Sequence, residues 1–390
     1  LITGGEMGGL LRYREDVLDT SLNAVGRLAL SITDQINRQL GQGLDLNGQF
    51  GNNLFRSIND PQLLSQRSLA RVGNSDPNAN LNVTLTDTTQ LTTSDYEVQF
   101  TSATEYTIRR LSDGTQFPAS PATFDITTVP APEVDGFSLG VASGTFAAGD
   151  RFQVMPTRNA GRDIRADMKN AEELAFAAPL KAETSPANIG TGKITQPALL
   201  TEIDIYDPVA QADLETSLRN APPLRIVMGA AGGATQSYDV VDINGNVIDT
   251  GSIVPGQDNA LTISVPANPP GVPAAFDYQV SISGRPSAGD NFSVSFNTNG
   301  VSDNRNALNL VDLQKKAVIG VNPAAPGTTG SSFSDSYGDL VERVGTLTAQ
   351  ARQDSEATGA ILKQATDNRD SLSAVNLDEE AANLIKFEQY

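Results

Sequence analysis

Two stretches near the ends of the chain carry apolar residues at helical spacing. In the first, apolar positions recur every three or four residues from Leu18 to Leu40, and Gly41 and Gly43 follow as a stop signal. In the second, the residues at every seventh position from Tyr337 to Leu372 are mostly apolar. Such repeats are typical of long helices that lie against another helix. We therefore predict that the two helices pair through a seam of Leu18, Leu22, Val25, Ile32, Ile36, Leu340, Val344, Leu347, Ile361 and Leu372.

The long middle of the chain has the pattern of β-strands and contains an internal repeat. It is rich in Thr, Ser, Gly and Pro, and the pattern SGxxxAGDxF occurs at 143–152 and again at 283–292. Alternating strand-like segments precede each copy, with a hairpin signal at Asp113-Gly114 in the first and Asn244-Gly245 in the second. These features predict two β modules of similar plan, each sandwich-like or barrel-like.

The order of these patterns predicts a multidomain α+β fold. Helical patterning resumes at about residue 301, after the second repeat. We therefore predict a discontinuous, coiled-coil-like helical domain built from residues 1–58 and 301–390. The two β modules, residues 59–180 and 181–300, are predicted insertions between its helices.

Composition removes most catalytic chemistry. The chain contains no Cys, His or Trp, which excludes disulfides, thiolate nucleophiles, Ser-His-Asp relays and nearly all zinc, copper or haem sites. Its formal net charge of −19 repels nucleic acid and anionic lipid, so neither is an expected partner. There is also no run of apolar residues long enough to span a bilayer. We predict no catalytic residue, cofactor or metal site, and hence no enzyme.

The repeated Gly-Asp is the best remaining candidate for chemistry. Asp150 and Asp290 could act as acid and base, but they lie in different modules and no second carboxylate recurs at fixed spacing. Asp in this position commonly accepts hydrogen bonds from the backbone of its own turn. We therefore interpret Gly149-Asp150 and Gly289-Asp290 as structural turns.

The last fifteen residues predict an amphipathic helix. Asn376 and three acidic residues, 378–380, suit a helix N-terminus. The apolar face that follows needs a partner, and the helical pattern is still unfinished at the last residue. We expect this face to make subunit contacts through Leu384, Ile385, Phe387 and Tyr390.

Both chain ends resemble the flagellar hook-associated protein 1 family. The resemblance lies in SDSYGDLVERVGTLTAQA (334–351), SAVNLDEEAANLIKFEQY (373–390), SDNRNALNLVDLQ (302–314) and the segment from GGLLRYRED to NNLF (8–55). It covers about a third of the chain. One departure is the second β module, since the shorter family members carry a single one.

The resemblance implies a structural axial protein that joins the flagellar hook to the filament. It implies as partners the hook protein, hook-associated protein 3 and further copies of the same chain in a ring or helical array. It also implies an extracellular location reached by the flagellar type III export apparatus, without a cleaved signal peptide. By this resemblance the chain is a fragment lacking both extreme termini, and the site for an export chaperone belongs to the missing C-terminal residues.

A different function class remains open on the residues alone. An extracellular adhesin or glycan-binding protein could use the β repeats as a binding surface. That function requires the aromatic residues of the modules to be exposed together in a groove, whereas a structural role places them in the cores. The residues in question are Tyr96, Tyr106, Phe137, Tyr238, Phe276 and Tyr278.

Overall fold

The computed structural model describes residues 5–268, 270–298, 300–325, 327–373 and 377–389. The chain divides into two compact units, residues 1–21 with 337–390 and residues 22–336. The second unit contains every β-strand that the structure describes. The domain boundaries drawn from the sequence, at residues 58, 180 and 300, stay predictions.

Helices lie at both ends of the chain, with shorter ones between. A π-helical segment, Tyr13–Leu18, separates the first two helices, and the second ends at Gly41, where the sequence predicted its stop. Short 3-10 turns occupy Ser65–Arg67, Ala171–Glu173 and Gly300–Ser302. The α-helices are α1 (Gly5–Arg12), α2 (Asp19–Gly41), α3 (Pro61–Leu64), α4 (Ala160–Asp163), α5 (Pro208–Asn220), α6 (Arg305–Asp312), α7 (Phe333–Ser373) and α8 (Leu377–Glu388).

Local capping explains where several helices begin. Asp207 accepts hydrogen bonds from the amides of Val209 and Ala210 at the start of α5, and Pro208 fills the first turn. Asp60 caps α3 in the same way, again followed by a proline. At the start of α7, the Ser332 hydroxyl accepts the amide of Asp335 and donates to its carboxylate.

The first β module is a two-layer sandwich. One sheet has the strand order β1-β9-β3-β4-β5, with β6 also on β4, and the other has the order β2-β8-β7. All described pairs are antiparallel, with Val98 opposite Phe152 at the centre of the larger sheet. The strands are β1 (Ser68–Ala70), β2 (Asn80–Leu85), β3 (Tyr96–Phe100), β4 (Glu105–Arg110), β5 (Gln116–Phe117), β6 (Phe124–Asp125), β7 (Glu133–Val134), β8 (Phe137–Ser143) and β9 (Arg151–Val154).

The second β module repeats this plan. Its larger sheet has the order β10-β18-β13-β14-β15, and Ile226 lies opposite Phe292 where Val98 lies opposite Phe152 in the first. In its smaller sheet β17 pairs with β11 and β12 along one edge and with β16 along the other. The strands are β10 (Leu180–Thr184), β11 (Lys193–Ile194), β12 (Ala198–Leu199), β13 (Leu224–Gly232), β14 (Thr235–Val241), β15 (Val247–Ile253), β16 (Asn259–Val265), β17 (Phe276–Ser283) and β18 (Asn291–Phe296).

Two hydrophobic cores form, one inside each module. The first takes inward residues from both of its sheets and also Leu30 of α2. The second takes Leu44 and Phe50 from the segment after α2, and Leu214 and Leu218 from α5. The mixed helix-and-sheet fold class is confirmed, while a single helical domain assembled from both chain ends stays a prediction.

Candidate functional site

Helix α2 buries a mainly polar face. Its apolar row was the expected packing surface, because helices normally bury the apolar side. Instead, α2 lies against the β modules through polar and glycine positions one turn apart. The buried residues are Asn23, Gly26, Leu30, Ser31, Thr33, Asp34, Asn37, Leu40 and Gly41.

The N-terminal half of this face is fastened to the first β module. The Asn23 amide donates to Asp95 at 3.1 Å and accepts from the Thr157 hydroxyl at 3.0 Å. Arg158 pairs with the same Asp95 carboxylate. At Gly26 the helix approaches so closely that a Cβ would lie 1.8 Å from the carbonyl oxygen of Thr157. Hydrogen bonds thus replace apolar packing as the source of specificity here.

The C-terminal half binds backbone groups of two later segments. The Asn37 side chain donates to the Phe55 carbonyl at 2.9 Å and accepts the Phe55 amide at 3.0 Å. Gln42, directly after α2, makes the same double contact with Ile203, at 2.9 and 2.8 Å. A side-chain amide that satisfies both groups of one residue mimics a strand partner, so both segments are held in fixed register.

Between the two halves lies Asp34, which is 1 % exposed. Its carboxylate accepts from the Thr88 hydroxyl at 2.6 Å, the Tyr206 hydroxyl at 2.5 Å and the Arg38 guanidinium at 3.0 Å. Burial and the adjacent Asp34 carboxylate both raise the pKa of Tyr206 above its ordinary value, so this phenol stays protonated and remains a donor.

The apolar row of α2 is left partly open. Leu22 and Val25 are 42 % and 43 % exposed, Leu18 is similarly exposed, and Ile32 and Ile36 are half-buried. Along α7, Val344 and Ile361 are exposed and Leu340 and Leu347 are half-buried. The side chain of Leu372 lies outside the described residues. Pairing of the two rows along one seam stays a prediction.

The C-terminal helix presents its apolar residues to solvent. Leu384, Ile385 and Phe387 of α8 are 66 %, 58 % and 82 % exposed. Tyr390, predicted to act with them, lies outside the described residues, as does Asn376 at the predicted helix start. Three large apolar side chains in one short helix are more than a solvated surface normally carries, and they are typical of a contact surface.

Asp150 and Asp290 lie at equivalent turns of the two modules. Asp150 accepts hydrogen bonds from the amides of Ser75 and Ala147, and Asp290 from those of Ile189, Gly190 and Ser287. The preceding Gly149 and Gly289 have φ of 98° and 87°, which suits only glycine well. Both carboxylates therefore hold a loop to a turn.

An asparagine completes each of these turns and was missed in the sequence. Asn74 donates to the carbonyl of Arg151 and accepts its amide, and Asn188 makes the same pair of bonds with Asn291. Each asparagine directly precedes a residue that donates its amide to the Asp carboxylate. Because the loop lengths differ between the modules, no fixed spacing in the sequence marked these asparagines.

We predict that Asp290→Asn destabilises the chain by about 1–3 kcal/mol at pH 7, because one amide cannot accept all three backbone donors. Burial acts to raise the pKa of Asp290, but the hydrogen bonds outweigh it and hold the pKa below 3.8. The native carboxylate thus contributes stability above about pH 4 that is lost as the pH falls through its lowered pKa. Urea unfolding should show the difference from native shrinking below pH 4. The exposed Asp258→Asn is the control, and an equal loss in both variants would contradict the assignment.

The described part of the chain shows no aromatic binding groove, no metal-binding cluster and no membrane-spanning helix. The six aromatic residues singled out in the modules are all buried in the cores. Among the described residues no group of three or more His, Cys, Asp and Glu side chains is arranged to hold a metal ion. No helix in the same part of the chain is both long and apolar enough to cross a bilayer. The helices with exposed apolar residues are therefore the candidate functional surface.

Comparison with known proteins gives one consistent family. Residues 1–55 match the model described as the flagellar hook-associated protein FlgK helical domain, and residues 69–156 match that of flagellar hook-associated protein 1, D2-like domain. Flagellar hook-associated protein 1 of Salmonella typhimurium strain LT2 is 24 % identical over 390 residues, which is all of this chain and 47 % of that protein. The Escherichia coli K12 protein is 23 % identical over 392 residues and 46 % covered. The chain spans about half the length of the curated relatives it matches.

A solved structure agrees with these relatives. The flagellar hook junction protein FlgK from Burkholderia pseudomallei superimposes with a TM-score of 0.72 at 27 % sequence identity. The match covers 95 % of this chain and 63 % of that one. In both sequence and mixed helix-and-sheet fold, this chain is therefore similar to the flagellar hook-associated protein 1 (FlgK) proteins.

Proposed function

We propose that the chain is part of a structural adaptor that joins the hook of a bacterial flagellum to its filament. The observation that carries this proposal is the likeness to the FlgK hook junction protein over 95 % of the chain. The absence of His and Cys from the sequence and the structural use of Asp150 and Asp290 support a non-enzymatic role.

Subunit contacts are assigned to the helices. In α8, Leu384, Ile385 and Phe387 expose apolar surface that is costly to leave in water, at about 25 cal/mol for each Å². In a ring or helical array, one surface of a subunit meets a different surface of the next. The α8 face supplies one such surface. Tyr390 is proposed to extend it, and the rows on α2 and α7 are proposed to pair with each other within the chain.

The β modules are assigned an outward position away from the helical contacts. They attach to α2 through its polar face, while Leu18 and Leu22 of its apolar row are exposed and are proposed to meet other helices. An adhesin or glycan-binding role is not favoured, because the aromatic residues that would form its binding groove lie in the cores.

The proposed partners follow from the family. They are the hook protein, hook-associated protein 3 and further copies of this chain, with an export chaperone that binds C-terminal residues outside this sequence. The proposed location is extracellular, on the flagellum, after export without a cleaved signal peptide.

We expect the triple variant Leu384→Asp, Ile385→Asp, Phe387→Asp to abolish filament attachment, because charges on this face cannot be buried against a neighbour. The experiment places the full-length protein in a strain that lacks its own junction protein. It measures secreted protein, the fraction of hooks that carry filaments, and swimming. Val129→Asp, at an exposed residue of the first β module, is the matched control.

The two variants separate assembly from export. The proposal expects both to be secreted at equal levels, with filaments only on cells that carry the control. Normal filaments on cells with the triple variant would contradict the role of α8. Failure of the unaltered full-length protein to reach hook ends in any condition would contradict the junction function itself.

A further inference from the structure

A single buried carboxylate receives hydrogen bonds from both β modules. Thr88 follows β2 in the first module and is 1 % exposed. Tyr206 lies on the connection between β12 and α5 of the second module. Their hydroxyl groups meet on the two carboxylate oxygens of Asp34, Tyr206 on Oδ1 and Thr88 on Oδ2.

Arg38, one turn further along α2, completes the arrangement. Its guanidinium donates to Asp34 at 3.0 Å and lies 4.9 Å from the centre of the Tyr206 ring, and it also reaches Glu202 at 3.4 Å. The buried carboxylate therefore has a charged partner and two hydroxyl donors. A buried charge with its hydrogen bonds satisfied is tolerated, and it strongly resists rearrangement that would leave it unpaired.

The other polar contacts of the helix reach one module each. Asn23 and Gly26 contact Asp95 and Thr157 of the first module. Gln42 contacts Ile203, next to the second module. Among the hydrogen bonds described for the buried face of α2, Asp34 is thus the acceptor that the two modules share, and the Tyr206 ring also packs against the core of the first module.

We propose that Asp34 is a coupling residue that holds the two β modules in one fixed arrangement on α2, so that a load on either module passes to the other. In this role Thr88 and Tyr206 are positioning residues, one for each module. If the function proposed above holds, this coupling makes the two modules act as one rigid body.

The test measures the distance between the modules directly. The sequence contains no cysteine, so cysteines introduced at Val141 in β8 and Thr262 in β16, both exposed, are the sole labelling sites. Spin labels at the two sites report the distance distribution by pulsed electron paramagnetic resonance. It is recorded for the labelled parent, for Tyr206→Phe, for Thr88→Val and for both together. Tyr337→Phe, at an exposed tyrosine, is the control.

The proposal expects one narrow distribution in the parent and the control. It expects a broader or shifted distribution in Tyr206→Phe, and a larger change in the double variant, with the circular dichroism spectrum unchanged. Tyr206→Phe keeps the ring under Arg38, so it decides the outcome if the double variant does not fold. Distributions that superimpose on the parent would overturn the proposal.

Discussion

Replacing Gly26 with alanine is expected to cost about 3 kcal/mol of folding stability, the upper end of the usual range for an overpacked site. The new Cβ would lie 1.8 Å from the carbonyl oxygen of Thr157 and 3.6 Å from the Cβ of Ala160. The nearest atom belongs to the backbone and cannot rotate away as a side chain could. Relief therefore requires α2 to move off the first β module, which also stretches the bonds of Asn23.

The matched control is Gly345→Ala in α7, where nothing lies within 4 Å of the added Cβ. Alanine is a better helix former than glycine, so this change should stabilise the chain by about 0.5–1 kcal/mol. Urea unfolding followed by circular dichroism gives both values. A stabilising or neutral effect of Gly26→Ala would show that α2 does not pack this closely on the first β module.

The second large effect is expected for Asn37→Ala, at about 2–4 kcal/mol. The substitution removes two hydrogen bonds and leaves the amide and the carbonyl of Phe55 without their partner. Each unsatisfied buried group costs about 1–3 kcal/mol. Alanine gains somewhat in helix propensity, which offsets only a few tenths of this loss. Asn309→Ala, at an exposed position of α6, should change the unfolding free energy by less than about 0.5 kcal/mol.

The sequence predicted those features that depend on local patterns. The repeated SGxxxAGDxF motif marked two modules, and the structure gives both the same strand order. The hairpin signals at Asp113-Gly114 and Asn244-Gly245 lie between strands, with φ of 74° at Gly114 and 84° at Gly245. Turn chemistry is local, so it can be predicted without knowing the partner of each strand.

The packing face of α2 could not be predicted in the same way. Apolar periodicity indicates which side of a helix is buried only when burial is driven by apolar area. Burial of the polar face of α2 is driven by hydrogen bonds to Asp95, Phe55 and Tyr206. The positions of these three residues beside the helix follow from the tertiary fold. The sequence analysis considered only the apolar row of α2. The polar positions between were therefore not recognised as a packing surface.

One missed element did leave a local signal. Helix α5 interrupts the second module between β12 and β13 and buries Leu214 and Leu218 in its core. Asp207-Pro208 is a capping residue followed by proline in the first turn, a recognised helix start. Because strand-like segments surround α5, the sequence analysis predicted only β-strands in this region.

The candidate contact surface was predictable in part. The amphipathic pattern of α8 identified Leu384, Ile385 and Phe387, and the structure leaves all three exposed. The surface that covers them belongs to other subunits. The sequence of one subunit does not predict which residues of a neighbour they contact. The assignment of this face to axial contacts is therefore a proposal.

Helix α2 is held to the β modules by its polar face, while Leu22 of its apolar row is 42 % exposed. The most direct test compares the unfolding free energies of Asn37→Ala and Leu22→Ala, measured in urea on the same chain. We expect a large loss for Asn37→Ala and a change of at most about 0.5 kcal/mol for Leu22→Ala. A larger loss for Leu22→Ala than for Asn37→Ala would show that the apolar row is the packing face, and would contradict this arrangement.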